Sequence, residues 1–307
     1  MPRTLRPLLG LMALLLLAPG CDSDGAGGFD DLLADARIAR QSGQLDAAVR
    51  LYEQALALDP DSAPVRVELA ATVLARAEVN LLDLDRIALF LTETTGGAVD
   101  APIGASAGIQ PLTCPDAADP TAQPFDPTDV EGYAELEAQR AAVDEVLAIL
   151  QGAGPVEGGD AVIPPGLRLA DGCGGVENGQ LVYDRAAALA YLRAAGLSDA
   201  DIATALAVHA TARLVDAYLF VATDLPQQTA WYRLADGGVG VCAADPIALR
   251  AQATVAVADF GEALTALDLR AEVLGAGADD PARTLVQTVL DAYEAIREDL
   301  GPYCGAS

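Results

Sequence analysis

Residues 29–62, FDDLLADARIARQSGQLDAAVRLYEQALALDPDS, constrain the fold more than any other stretch of the chain. Apolar residues return at helical intervals on both sides of Ser42-Gly43, so the segment reads as two helices joined by a tight turn at Gly43. Small residues at Ala36, Ala48 and Ala55 let the helices approach closely, and Tyr52 is large enough to fill the groove beside them. Such a pair cannot bury its apolar face alone, so the rest of the chain must cover it.

On these residues the segment resembles one tetratricopeptide (TPR) repeat of 34 residues. In that frame Leu32, Ala36 and Ala39 hold first-helix positions, Leu45, Ala48, Tyr52 and Ala55 hold second-helix positions, and Pro60 ends the unit. Asp35 departs from the pattern, which prefers a bulky apolar residue there. The next stretch, SAPVRVELAATVLARAEV, continues in phase with Leu69, Ala70 and Val73 on one face. Its partner, LLDLDRIALFLTETTGG, has lost the Ala-Tyr-Ala spacing. The resemblance therefore covers residues 29–95, under a third of the chain. Two more segments copy the second-helix spacing, at Ala187, Tyr191, Ala194 and at Ala256, Phe260, Ala263. Coincidence in an alanine-rich chain is the better reading of both. The resemblance also implies that Asp30, Arg37 and Gln41 line the concave side of the first helix, with Arg40 beside them. Arg37 and Arg40 would either capture a carboxylate or acidic peptide, or simply neutralise nearby aspartates, which is the simpler account.

The N-terminus says where the protein lives. Arg3 and Arg6 form a basic region, Leu8 to Leu17 an apolar run too short to span a membrane, and small residues precede Cys21. Residues 1–20 resemble a bacterial lipoprotein signal peptide, which implies diacylation of Cys21 and a flexible tether over residues 21–28. Pro19 departs from the usual lipobox, and Ala18-Pro19-Gly20 would also suit ordinary cleavage. Cysteine parity favours the lipid. Cys114, Cys173, Cys242 and Cys304 form an even set for two disulfides in an oxidising compartment, with Cys21 left over. Chain proximity suggests Cys114–Cys173 and Cys242–Cys304. No C-x-x-C motif points instead to zinc or thiol exchange. Asp22 resembles an inner-membrane retention signal of enteric bacteria, a rule that does not transfer between phyla, so the choice of membrane stays open.

Beyond the repeats, a Gly/Pro-rich loop over 96–127 leads into a helical domain over 128–307 that packs on them. Thr128 and Glu131 stand at capping-box spacing before a helix that carries Leu136, Val143, Val146, Leu147 and Leu150 on its apolar face. A second loop, 152–183, holds Cys173. Ser198 with Asp201 opens a helix to about residue 222, and Pro226 a short one through Tyr232. Residues 245–274 form a long alanine-rich helix, and Pro281 starts the last one. No segment alternates like a strand for long. The expected architecture is all-α, a TPR-like right-handed solenoid or bundle with two long disulfide-stapled loops.

Composition removes several function classes. The net charge is −27, with 18 basic residues against 45 acidic ones. Nucleic acid or an anionic membrane surface would be repelled. No calcium loop, P-loop, G-x-S-x-G elbow or H-E-x-x-H pair is present. His209 is the one histidine and sits in ALAVHATARLV, where a packed side chain is the simpler reading and a metal site is disfavoured. The acidic pairs Asp30/Asp31, Asp279/Asp280 and Glu298/Asp299 read as solvated or helix-opening charges. Trp231 and Tyr232 beside a glycine-rich loop would anchor a ligand or partner, or else plug the core. The sequence thus suggests an exported, lipid-anchored, TPR-like scaffold facing the periplasm or cell exterior. It would act through envelope protein partners, without enzyme chemistry, cofactor or metal. The alternative is a ligand-binding lipoprotein of a transport system, and a carboxylate hydrolase ranks third.

Overall fold

The computed structural model describes residues 28–79, 110–111, 123–125, 133–152, 160–164, 167, 176–177, 180–220, 224, 229–233, 239–243 and 246–276. Among them lie seven helices: α1 Phe29–Gln41, α2 Leu45–Leu58, α3 Ala63–Arg76, α4 Tyr133–Leu150, α5 Arg185–Ala194, α6 Asp199–Leu219 and α7 Pro246–Val273. No helix among these residues is long and apolar enough to cross a membrane.

The helices start and stop where local chemistry tells them to. Asp30 and Asp31 in the first turn of α1 and Arg40 in its last turn complement the helix dipole. Gly43 follows with φ +74°, a left-handed turn that returns the chain as α2. Ahead of α5, the Asp184 carboxylate accepts from the Ala187 amide at 2.9 Å. The expected capping box opens α6: Ser198 Oγ accepts from the Asp201 amide at 3.2 Å, and the Asp201 carboxylate accepts from the Ser198 amide at 3.1 Å. The capping box expected at Thr128 and Glu131 lies outside the described residues.

α1 and α2 form an antiparallel pair closed on Ala36, Ala48, Tyr52 and Ala55, all fully buried. α3 lies against α2, and Leu69, Ala70 and Val73 are buried as their shared face predicts. α4 and α6 then cover α3, so its residues are buried on nearly every side, whereas α1 buries only Ala36 and Ala39. The apolar face of α4 holds Val143, Val146, Leu147 and Leu150 in the core. The most extensive contact is between α6 and α7. Ala205, Ala210 and Ala212 of α6 and Ala263, Ala266 and Ala271 of α7 are buried, as are Leu206 and Leu264, and small residues on facing helices permit close approach.

This predominantly helical body agrees with the expected class, with one local correction. Thr229–Arg233 is strand β5 rather than the end of a short helix opened by Pro226. It pairs antiparallel with β6, Val239–Ala243, and with β2, Gln123–Phe125; β1, Gln110–Pro111, runs parallel to β6. The sheet order is β1-β6-β5-β2. Two causes decide for the strand. Thr, Trp and Tyr favour extended backbone, and a helix of about seven residues cannot sustain itself without tertiary support. The described pieces of the 96–127 loop are thus tied by backbone hydrogen bonds to either side of the β5–β6 pair. A second, two-stranded ladder joins β3, Val176–Glu177, to β4, Gln180–Leu181.

Candidate functional site

Asp30, Arg37 and Gln41 fall at spacings of seven and four residues along α1 and so share one face, exposed along its length. Arg40, on the flank of that face, is partly buried and close to the Tyr52 hydroxyl. Arg37 is not unoccupied. Its Nε donates to both carboxylate oxygens of Glu68 on α3 at 3.0 and 3.1 Å, and its terminal nitrogen completes a forked pair. The same carboxylate accepts the Tyr52 hydroxyl at 2.7 Å. Burial, followed by the hydrogen bond to Glu68, pushes the Tyr52 phenol well above its ordinary range, so it stays a donor. The hydrogen bond to Glu68 likewise raises the Arg37 guanidinium. Arg37 thereby links the first helix of one repeat to the first helix of the next, and Asp201 also lies within electrostatic reach of it. Ile38, 61% exposed, adds an apolar group to the outer side of α1.

A second cluster was not anticipated. On α6, His209, Arg213 and Asp216 recur at spacings of four and three residues and so face one way. On α7, Asp259, Glu262, Thr265 and Asp268 recur every three residues, all buried. Arg213 Nη1 lies 2.6 Å from an Asp259 oxygen and 3.9 Å from Asp216, and its Nε lies 2.8 Å from Glu262. His209 is buried too, with Nε2 3.4 Å from the same Glu262 carboxylate. Burial raises the Asp259 carboxyl to about 7 against the pull of Arg213, helped by Asp216 and Glu262. Asp216 is raised for the same first reason. Farther along α7, Asp268 accepts the Tyr183 hydroxyl at 3.0 Å and pairs with Arg185 at 2.6 Å, which fixes the start of α5 to α7. Two helices otherwise lined with alanine and leucine are therefore joined by charge as well as by apolar contact. His209 is buried, as the simpler reading of it held.

Arg66 is a third buried charge, on α3. Its Nε donates to the Pro60 carbonyl at 2.9 Å and Nη1 to the Ile149 carbonyl at 3.3 Å, in the last turn of α4. Cationic nitrogen at a helix C-terminus satisfies carbonyls that have no partner within the helix.

Trp231 and Tyr232 lie in β5, opposite Phe125 and Pro124 of β2 and opposite Val241 and Gly240 of β6. Cys242 lies in β6, opposite Ala230. Cys21, Cys114, Cys173 and Cys304 lie outside the described residues, as do Asp279/Asp280, Glu298/Asp299 and residues 80–95 of the expected repeat region. Asp30 and Asp31 are exposed on the first turn of α1, as expected. At α5 the copied repeat spacing faces outward: Ala187, Tyr191 and Ala194 are exposed while Ala188, Leu189 and Leu192 are buried. Among the described residues, no group of three or more His, Cys, Asp or Glu is arranged to hold a metal ion.

The α1–α2–α3 unit has the helix order, small-residue contacts and buried Tyr52 of a helical repeat. Residues 36–75 match the family model described as TPR repeat. The match runs from the middle of α1 to the end of α3. The TPR unit generally mediates protein–protein contact, and that much it supports here. No curated protein and no solved structure matches the chain.

Proposed function

We propose that the chain is an exported scaffold, anchored by lipid at Cys21, that acts by protein–protein contact within a cell-envelope complex. The carrying observation is the TPR match over 36–75 together with the uneven burial of its helices. α3, which would continue a concave groove, is covered by α4 and α6 of the same chain. α1 is left open, with Asp30, Arg37 and Gln41 along one face and exposed Ile38 at its side. A partner protein would place an apolar anchor against Ile38 and polar groups around the Arg37–Glu68 pair.

The test is photocrosslinking in intact cells with a reactive residue at position 38, read by mass spectrometry after mild-detergent purification. A position on α7, Val255, is exposed and serves as control. Stoichiometric capture of the same envelope proteins from position 38 but not from 255 supports the reading. Recovery of the chain alone from both positions overturns it and favours a ligand-binding lipoprotein. Anchoring has its own readout: Cys21→Ser should move the protein from the membrane to the soluble fraction and remove acyl mass from the N-terminal peptide. Unchanged membrane recovery of that variant would dismiss the lipid.

A further inference from the structure

The α6–α7 seam is an unusual place for charge. Each helix is built to bury small apolar residues, yet both direct carboxylates at one guanidinium. Arg213 is in direct contact with Asp259 and Glu262, and Asp216 stands within 3.9 Å of it. His209, one turn before Arg213, faces Glu262. We propose that this seam is a proton-sensitive joint, in which α7 is held on α6 while one of the buried carboxylates around Arg213 carries a proton, and is loosened when that proton leaves.

The groups that face it come from several elements. α6 supplies His209, Arg213 and Asp216, and α7 supplies Asp259 and Glu262. α4 places Arg140 and Asp144 beside Asp216, and Arg140 is itself held by Asp224 at 2.8 Å. Arg185 and Tyr183 engage Asp268 and Glu272 farther along α7. The charged residues of α3 are committed elsewhere: Arg66 to Pro60 and Ile149, Glu68 to Arg37 and Tyr52, and Arg76 to Glu145. Like charges brought together in a low-dielectric seam do not all ionise at little cost, and burial acts in the same direction.

The sign follows from linkage. Asp259 is raised in the folded protein from an ordinary 3.8 to about 7. The folded state therefore binds the proton that the unfolded state has released. The stabilisation is fully present below about pH 4 and is lost as pH rises through about 7. From about pH 5 to about pH 8 this one group lowers the folding equilibrium constant by roughly a hundredfold. The loss falls on the seam and leaves the α1–α3 unit aside. Local opening of α7 is the expected consequence.

The experiment is hydrogen exchange and chemical denaturation of the full chain across that pH range, on wild type, Asp259→Asn and Asp35→Asn. Asparagine mimics the protonated carboxyl in shape, whereas exposed Asp35 reports only general relief of negative charge. Wild type and Asp35→Asn should lose protection in α6 and α7 as pH rises, with α2 unaffected, and Asp259→Asn should flatten most of that slope. Equal slopes in all three proteins overturn the proposal. If Asp259→Asn does not fold, the infrared carbonyl band of a protonated carboxylic acid in the wild type decides instead. Its presence near neutrality and disappearance above it support the joint, and its absence at neutrality overturns it.

Discussion

The Tyr52 hydroxyl donates to the Glu68 carboxylate at 2.7 Å, and through it the second helix of one repeat holds the first helix of the next. Arg37 reaches the same carboxylate from α1, so Glu68 is the point at which all three repeat helices meet. Small-residue contact sets how close the helices come. Glu68 sets their register.

The three partners of that contact should therefore rank by what each substitution leaves buried and unpaired. Tyr52→Phe removes one hydrogen bond to a carboxylate that Arg37 still satisfies, and should cost about 1.5 kcal/mol. Glu68→Ala leaves the buried Tyr52 hydroxyl without its acceptor and should cost about 2 to 3 kcal/mol. Arg37 is half exposed, and Arg37→Ala should cost under about 1 kcal/mol, screened by solvent and salt. Urea denaturation of the three variants checks the order. Arg37→Ala proving the most damaging would mean that the pair, rather than the tyrosine, holds the repeat.

Arg66 offers a sharper contrast. It is buried between two carbonyls that belong to different elements, Pro60 after α2 and Ile149 at the end of α4. Arg66→Met keeps the length and apolar bulk of the side chain but takes the guanidinium from the Pro60 carbonyl, a loss of about 1 to 3 kcal/mol, while the Ile149 carbonyl keeps the Gly152 amide at 3.3 Å. The denaturant midpoint should fall well beyond that of Arg37→Ala. Hydrogen exchange should locate the damage at the C-terminal turn of α4. Loss confined to α3 would contradict the bridging role.

What could be read in the sequence divides along a physical line. Ala36, Ala48, Tyr52 and Ala55 announce a helix pair because local spacing and contact coincide, and Ser198 with Asp201 announces α6 for the same reason. The partner of Arg37 could not be read, since Glu68 is 31 residues away and the register of α3 against α1 decides the contact. Strands β1 and β2 have two and three residues, each including a proline, which is too short for alternation to show. Asn178-Gly179 between β3 and β4 is a legible hairpin signal inside the stretch 152–183, which reads otherwise as a loop. The buried row Asp259, Glu262, Thr265, Asp268 also stands in the sequence at helical spacing. It was hidden by abundance, because 45 acidic residues make any one of them look like solvated surface.

Arg213 should be the costliest single charge to remove. Arg213→Met leaves Asp259 and Glu262 buried without the guanidinium they share, a loss of about 3 to 5 kcal/mol. Adding Asp259→Asn and Glu262→Gln to that variant neutralises the carboxylates, and the triple variant should recover most of the loss. Denaturation of the single and triple variants near neutral pH measures both. A triple variant no more stable than Arg213→Met would show that hydrogen-bond geometry rather than charge balance holds the seam.

The β1–β6 ladder brings a second pairing of the cysteines within reach of the chain. Gln110 and Pro111 of β1 lie alongside Gly240 and Val241 of β6, and Cys242 follows directly. Cys114 is three residues beyond Pro111, a reach of at most about 11 Å. Neighbouring strands are about 4.8 Å apart, and a disulfide spans about 4.4 to 6.8 Å between Cα atoms. A Cys114–Cys242 bridge, with Cys173–Cys304 as the second, is therefore the alternative pairing that the reach from Pro111 allows. The earlier expectation was Cys114–Cys173 with Cys242–Cys304. Peptide mapping of the unreduced, oxidatively expressed protein separates the two sets. A Cys114–Cys242 peptide would make the bridge a covalent lock on the β1–β6 edge, and reduction should then release protection from β6. A Cys114–Cys173 peptide would restore the stapled-loop arrangement, and four free thiols would dismiss disulfides altogether.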